Sequence, residues 1–238
     1  MIITSHAACK GHAPENTLAG IRAALRLKAD AIEIDVRLTR DGVPVLLHDA
    51  TVDRTTDGAG EIAALSLRRA RGLRIRSGPR AFARGERIPT LREVLQTVRG
   101  RAVLVLEVKP LGIEKEVLAA VRRADALEWC SVHSFLPRVV RRVKELEPRM
   151  PCLLLTGGPA VRDRRKLFSL ALSLGAQGVA VHEAAITPRL VRAAHLRELR
   201  VSTWTVDRQA DVRRVAGCGV DAITTDYPDR VRRWLPAR

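Results

Sequence analysis

An α/β fold closed as a (β/α)8 TIM barrel, with a β-hairpin after the second strand and an insertion beyond it, is what the sequence predicts. Three observations carry that expectation. Apolar, strand-like runs fall near residues 2–6, 30–36, 43–47, 102–108, 129–134, 152–155, 178–181, 201–206 and 221–224, and most are followed by apolar residues at helical spacing. Asp41-Gly42 separates the second run from the third by too few residues for a crossover, so 43–47 should pair antiparallel as a hairpin and leave eight parallel strands. Eight βα units in 238 residues average about 30 each, the size of one repeat of a closed barrel. An open doubly wound sheet is the rival, but no GxGxxG follows any strand.

Taken in order, the elements have local support. Asn16-Thr17 can cap a helix from Leu18 to Lys28, Thr90 caps one through Val98, and Thr187-Pro188 starts one through Leu199. Proline in a first helical turn costs nothing, because that N–H has no helical partner anyway. Residues 50–88 are the least regular, rich in Gly and Arg, and read as an insertion within a single barrel domain spanning 1–238. No apolar run is long enough for a membrane span, and the first residues lack the basic and apolar regions of a signal peptide, so cytoplasm is the expected compartment.

The formal net charge is +16, from 42 basic and 26 acidic residues, which promises affinity for something anionic without naming it. Nucleic acid, an anionic membrane and a phosphorylated substrate all fit, and so does arginine that merely decorates solvated helix faces. Aromatics are only 3%, which leaves few stacking platforms for single strands, and no zinc-finger, RNA-recognition or basic-zipper pattern occurs; no specific nucleic-acid partner is expected. Cys9, Cys130, Cys152 and Cys218 are far apart with no metal-ligand spacing and are expected to be reduced and packed as small hydrophobes. The oligomeric state is not legible.

In a barrel, the C-terminal ends of the strands converge on one mouth, where catalysis sits. The second strand ends AIEIDV, with Glu33 and Asp35 on one face; the next parallel strand ends VLVLEVKP, with Glu107 and Lys109 on one face. The first strand ends at His6, and the hairpin returns to His48-Asp49. Three carboxylates aimed into a barrel are costly without a cation. A hard divalent ion, Mg²⁺ or Ca²⁺, suits an oxygen donor set better than zinc does. The competing expectation is a buried salt-bridge network of Glu33 and Asp35 with Arg37 and Lys109.

The segment SHAACKGHAPENTLAGIRAAL, followed by AIEIDVRLTRDGVPVLLHDATVDRTTDGAG, resembles the glycerophosphodiester phosphodiesterases, and the likeness continues through RIPTLREVL, LEVK, HSF, STWTVD and GVDAITTDYP. The resemblance implies a barrel enzyme that cleaves a small-molecule glycerophosphodiester, such as glycerophosphocholine or glycerophosphoethanolamine, to glycerol 3-phosphate and an alcohol. By position it makes His6 and His48 the acid/base pair and Glu33, Asp35 and Glu107 the ligands of one divalent cation. It sets Lys109 beside metal and phosphate and Trp204 in the substrate pocket. Alternatives on the same fold are a lysophospholipase D-type hydrolase, which would need an apolar collar, and a non-catalytic phospholigand binder.

One departure bears on activity. The family's HRG reads His6-Ala7-Ala8, so the arginine expected to grip phosphate is absent, with Lys10 in the same loop as a candidate substitute. Lys28 and Glu198 replace glycines often found after helices, and Asp207 stands where Asn is usual. His12 is expected to pack near the substrate, Ser134 is a candidate substrate contact, and His133, His182 and His195 are expected to be structural. Eight arginines between Arg68 and Arg87, at 68, 69, 71, 74, 76, 80, 84 and 87, are expected to bring positive charge toward the mouth.

Overall fold

A computed structural model describes residues 1–76, 85–158, 161 and 163–235. Eight parallel strands close on themselves: β1 (Ile2–Ser5), β2 (Ala31–Leu38), β4 (Val103–Val108), β5 (Cys130–Ser134), β6 (Cys152–Thr156), β7 (Gly178–His182), β8 (Arg200–Trp204) and β9 (Ala222–Thr225). Closure comes from β1, which pairs in parallel with β9 on one side and β2 on the other. The expected hairpin strand, β3 (Pro44–Leu46), pairs antiparallel with the far end of β2 and lies outside the ring. The barrel and its hairpin are thus as expected, though β3 is shorter than 43–47 and β8 stops at Trp204.

Strand alternation divides the side chains into two sets. Ile32, Ile34 and Val36 of β2 and Leu104, Leu106 and Val108 of β4 join the main hydrophobic cluster with the surrounding helices. Their neighbours Glu33, Asp35 and Glu107 therefore face the barrel interior. The outer layer comprises α1 (Leu18–Arg26), α3 (Leu91–Val98), α4 (Glu114–Arg123), α5 (Pro137–Leu146), α6 (Arg164–Ser173), α7 (Pro188–His195), α8 (Gln209–Gly217) and α9 (Pro228–Trp234). In α5, Val139, Val140 and Val143 are buried, the i, i+1, i+4 stripe of a helix laid on a sheet.

Helix ends follow side-chain chemistry. Thr90 and Glu93 form a reciprocal capping box on α3, and Thr187 caps α7. Thr17, not Asn16, caps α1 by accepting from Gly20 N–H. The helices α1 and α7 stop short of Lys28 and Leu199, because Lys28 and Glu198 adopt left-handed φ values of 55° and 60°. Glycine would be easier at both positions, and a non-glycine there costs on the order of 1 kcal/mol.

The segment after the hairpin carries a short helix, α2 (Leu67–Gly72), and its own apolar cluster, in which Val52, Ile62, Leu73 and Ile75 pack with Val45, Leu47 and Ile88. Bridges Thr51 to Glu61 and Thr56 to Ile75 fold it back on itself. Arg80 and Arg84, expected in the basic rim, lie outside the described residues. Among the described residues no helix is long and apolar enough to cross a membrane.

Candidate active site

The register of the sheet brings the chemistry-bearing residues to one level. Asp35 pairs with Glu107, and Glu107 with His133, across β2, β4 and β5. Above them is a cavity of about 240 Å³, whose polar side includes His6, Glu33, His48, Glu107 and Lys109. Its other side is formed by His133, Phe135, Leu155, Ala180, Trp204, Thr205 and Thr224.

One carboxylate oxygen from each of Glu33, Asp35 and Glu107 lies within 4.8 Å of the other two. Lys109 Nζ bonds Asp35 at 2.8 Å and Glu107 at 2.5 Å, so part of the expected salt-bridge network exists. Glu33 stands outside that network. Its Oε2 accepts from Ala7 N–H at 2.8 Å, while Oε1 is buried with no hydrogen-bond partner among the described residues. Burial, with Asp35 and Glu107 nearby, pushes the Glu33 carboxyl up to about 8, and burial also raises Glu107 despite Lys109. Asp35 is held below its ordinary value: burial opposes this, but Lys109 and Asn16 outweigh it. An orphaned carboxylate oxygen facing two other carboxylates is the donor set of a hard cation, so these residues fit the divalent ion implied by the sequence.

Asn16 is a residue whose role the sequence reading missed. Its Nδ2 donates to Asp35 Oδ2 at 2.6 Å, and its Oδ1 accepts from Asp35 N–H at 3.0 Å, a two-point clamp on one carboxylate. Its left-handed φ of 55°, tolerable in Asn, turns the side chain away from helix capping.

Both predicted imidazoles are held the same way. His6 Nδ1 donates to Asp226 Oδ1 at 2.6 Å, and His48 Nδ1 to Asp49 Oδ1 at 2.7 Å. In each, Nε2 has no partner among the described residues, and both side chains line the cavity. Burial alone would lower His6, but the Asp226 hydrogen bond and the charges of Glu33, Asp226 and Asp35 carry it up to about 9. Asp49 is itself gripped by Arg54 Nε at 2.6 Å, and Arg54 also holds Glu15. That grip outweighs burial and lowers the Asp49 carboxyl to about 2. Arg37, expected to pair with the carboxylates, instead donates to the His48 carbonyl, from Nε at 3.0 Å and from Nη2 at 2.7 Å.

The remaining expectations divide. Trp204 lines the cavity, with Phe135 edge-on at 5.3 Å and His182 edge-on at 5.4 Å between ring centres. Ala7 is buried and makes no part of the cavity wall; Lys10 is exposed and likewise outside it. Ser134 faces away from the barrel, donating to Val108 O and accepting from Leu136 N–H, so it makes a turn rather than a substrate contact. His12 bonds Asp229 and meets Tyr227 edge-on, away from the cavity lining. His182 accepts from Ala184 N–H and His195 bonds Asp221, both structural contacts. His133, expected to be structural, instead lines the cavity. No described residue of 50–88 lines it, and Arg71 and Arg87 turn to Glu93 and to the Arg71 carbonyl.

The chain is similar to known proteins over nearly its whole length. A sequence profile described as the glycerophosphoryl diester phosphodiesterase family matches residues 6–230. The glycerophosphodiester phosphodiesterase of Caldanaerobacter subterraneus subsp. tengcongensis is 35% identical, over 96% of this chain and 95% of its own. Among solved structures, a glycerophosphodiester phosphodiesterase of Agrobacterium tumefaciens superposes with a TM-score of 0.85 at 27% identity, covering 98% of this chain and 99% of that one. A phosphodiesterase of Oleispira antarctica, in complex with the product sn-glycerol-3-phosphate, superposes with a TM-score of 0.86 at 27% identity, over 98% and 96% of the two chains.

Proposed function

This chain belongs to the glycerophosphoryl diester phosphodiesterase family, and from that premise we propose that it hydrolyses glycerophosphodiesters to glycerol 3-phosphate and an alcohol with the help of one divalent cation. The observation that carries the reading is the pairing of two imidazoles, each anchored at Nδ1 by a carboxylate, with a cluster of three carboxylates, two of which, Glu33 and Glu107, line the same cavity. A cavity of about 240 Å³ lies below the range of roughly 300–1,000 Å³ common for drug-sized ligands, and so suits a small diester better than one carrying an acyl chain.

His6 and His48 are the acid/base pair. One imidazole Nε2 takes the proton of the attacking hydroxyl, the P–O bond to the alcohol breaks, and the other imidazole returns a proton to the departing alkoxide oxygen. The attacking hydroxyl is water or the glycerol hydroxyl next to the phosphate; the second route yields a cyclic phosphate that water then opens. Glu33, Asp35 and Glu107 would hold Mg²⁺ or Ca²⁺, which when bound neutralises charge on the phosphodiester oxygens. Lys109, the cation in the cavity wall, meets the phosphate, and Trp204 forms an apolar wall for the substrate. Ala7 has no side chain to contact the phosphate, which weakens the grip that an arginine would give there, and Lys10 is exposed and outside the cavity lining.

The test is turnover of glycerophosphocholine and glycerophosphoethanolamine with Mg²⁺, with Ca²⁺ and with chelator, beside an Ala7→Arg variant. Cation-dependent release of glycerol 3-phosphate supports the reading. Saturable ligand binding without turnover in either protein would favour the phospholigand binder instead.

A further inference from the structure

The chemistry above leaves His133 unused. It stands on β5 beside Glu107 and lines the same cavity, yet it makes no hydrogen bond, ion pair or ring contact with any described residue. In its neutral form the imidazole offers one N–H donor and one acceptor nitrogen to the cavity. The residue is half-buried and its ring nitrogens open on the cavity, where water or a ligand can meet them.

Its surroundings indicate which ligand group that is. β5 and β9 are four strands apart in either direction round the ring, so His133 and Thr224 sit on opposite walls. The Thr224 hydroxyl also makes no hydrogen bond with a described residue, and it too lines the cavity. Between them the wall is Leu155, Ala180 and Trp204, and the indole N–H is already committed to the Ala180 carbonyl at 3.3 Å. The half of the cavity beyond the carboxylates is therefore largely apolar, with neutral polar handles at His133, Thr205 and Thr224. A phosphate would call for charge, whereas a carbon chain bearing hydroxyls matches both the apolar lining and the handles.

We infer that His133 is a specificity-determining residue, hydrogen-bonding a hydroxyl of the glyceryl portion of the substrate; the inference rests on the phosphodiesterase reading. The glyceryl half is common to glycerophosphocholine and glycerophosphoethanolamine, so the contact selects for glyceryl esters whatever the head group.

The experiment compares the parent with His133→Leu and His133→Gln. Binding of sn-glycerol 3-phosphate and of n-propyl phosphate, which lacks both hydroxyls, is measured by calorimetry with a divalent cation present. In parallel, kcat/KM is measured on glycerophosphoethanolamine and on bis(p-nitrophenyl) phosphate. His133→Leu is expected to lose about tenfold or more on the glyceryl ligand and substrate while staying within about threefold on the other two; His133→Gln, which keeps a neutral donor and acceptor, should recover most of the loss. Equal losses on glyceryl and non-glyceryl compounds, or an unchanged preference, would overturn the assignment. If the parent cleaves neither diester, the activity reading fails, while the binding comparison still decides the role of His133.

Discussion

His6 Nδ1 lies 2.6 Å from Asp226 Oδ1, and Asp226 is itself fixed by Asp207, whose Oδ1 accepts from the Asp226 N–H at 2.9 Å and from Thr225 Oγ1 at 2.8 Å. The loop after β1 closes against the same point: a Cβ on Gly11 would stand 2.5 Å from the Asp226 carbonyl oxygen, so only glycine fits there without movement. Asp226 is thus a positioning residue for one imidazole. Asp226→Asn should lower kcat by roughly 10- to 100-fold with little change in KM, the pattern of an interaction used in the reaction rather than in ground-state binding. The same variant makes the hydrogen bond to His6 a neutral one and removes a negative charge beside it, so its pKa should fall from about 9, which imidazole NMR titration reads directly. An unmoved His6 titration would mean that Asp226 only supports the loop.

His48 has a longer chain of support, through Asp49 and Arg54 to Glu15. His6→Ala and His48→Ala should each abolish most turnover while leaving cation binding intact, because both imidazoles lie outside the carboxylate triad. If they act as one unit, the double variant should be little worse than either single one. Mild effects that multiply in the double variant would count against an acid/base pair, and the Ala7→Arg background gives the signal needed if parent turnover is low.

The barrel was legible because its two periodicities are written plainly: VLVLEV alternates, and LREVLQTV carries a helical stripe between a capping box and a left-handed Arg99. The candidate residues that the structure brings together were legible near strand ends for His6 and Glu107, and in the alternation of β2 for Glu33 and Asp35. Asn16 was misjudged because Asn before a helix is ordinarily a cap, and only the tertiary fold turns it onto Asp35. His133 had the right signal, being two residues from Phe135 and at the register of Glu107, but a single histidine has no spacing partner to announce it. Asp226 was within a recognised motif and still had no role until β9 came to lie beside β1.

Ala7 has φ 44°, and Ala8, where the family has glycine, has φ 70°. The Ala8 methyl is accommodated by Gly20, where a Cβ would stand 2.9 Å from it. The loop therefore already holds a side chain in a left-handed conformation at position 7, and Ala7→Arg adds no new backbone strain of that kind. A guanidinium reaching the phosphate should raise kcat/KM by at least about tenfold, the lower end for a charge-assisted hydrogen bond. Steady-state kinetics on glycerophosphoethanolamine decides it. An unchanged value would mean that Lys109 already meets the phosphate fully.

The carboxylate triad ties stability to both pH and cation. In the metal-free protein the Glu33 carboxyl titrates near 8 rather than near 4.5, so between those values the folded chain holds a proton that the unfolded chain has released. Stability therefore falls as pH rises through that window, and His6, raised from 6.5 to about 9, adds a loss of the same sign above pH 6.5. A divalent ion bound only by the folded protein opposes that loss: at a hundredfold excess over its Kd it contributes about 2.7 kcal/mol, which for a chain of this size is a rise in Tm of roughly 5–11 °C. Burial lowers His133 from 6.5 to about 4, a gain with rising pH that offsets the Glu33 loss below pH 6.5. Thermal melts in chelator should thus decline mainly from pH 6.5 to pH 8, and Mg²⁺ or Ca²⁺ should restore Tm most strongly at the alkaline end, where Glu33 is free to ionise. Glu33→Gln, which removes the titrating oxygen and one cation ligand together, should flatten the first effect and shrink the second. A variant that keeps the full cation-dependent rise would remove Glu33 from the ligand set.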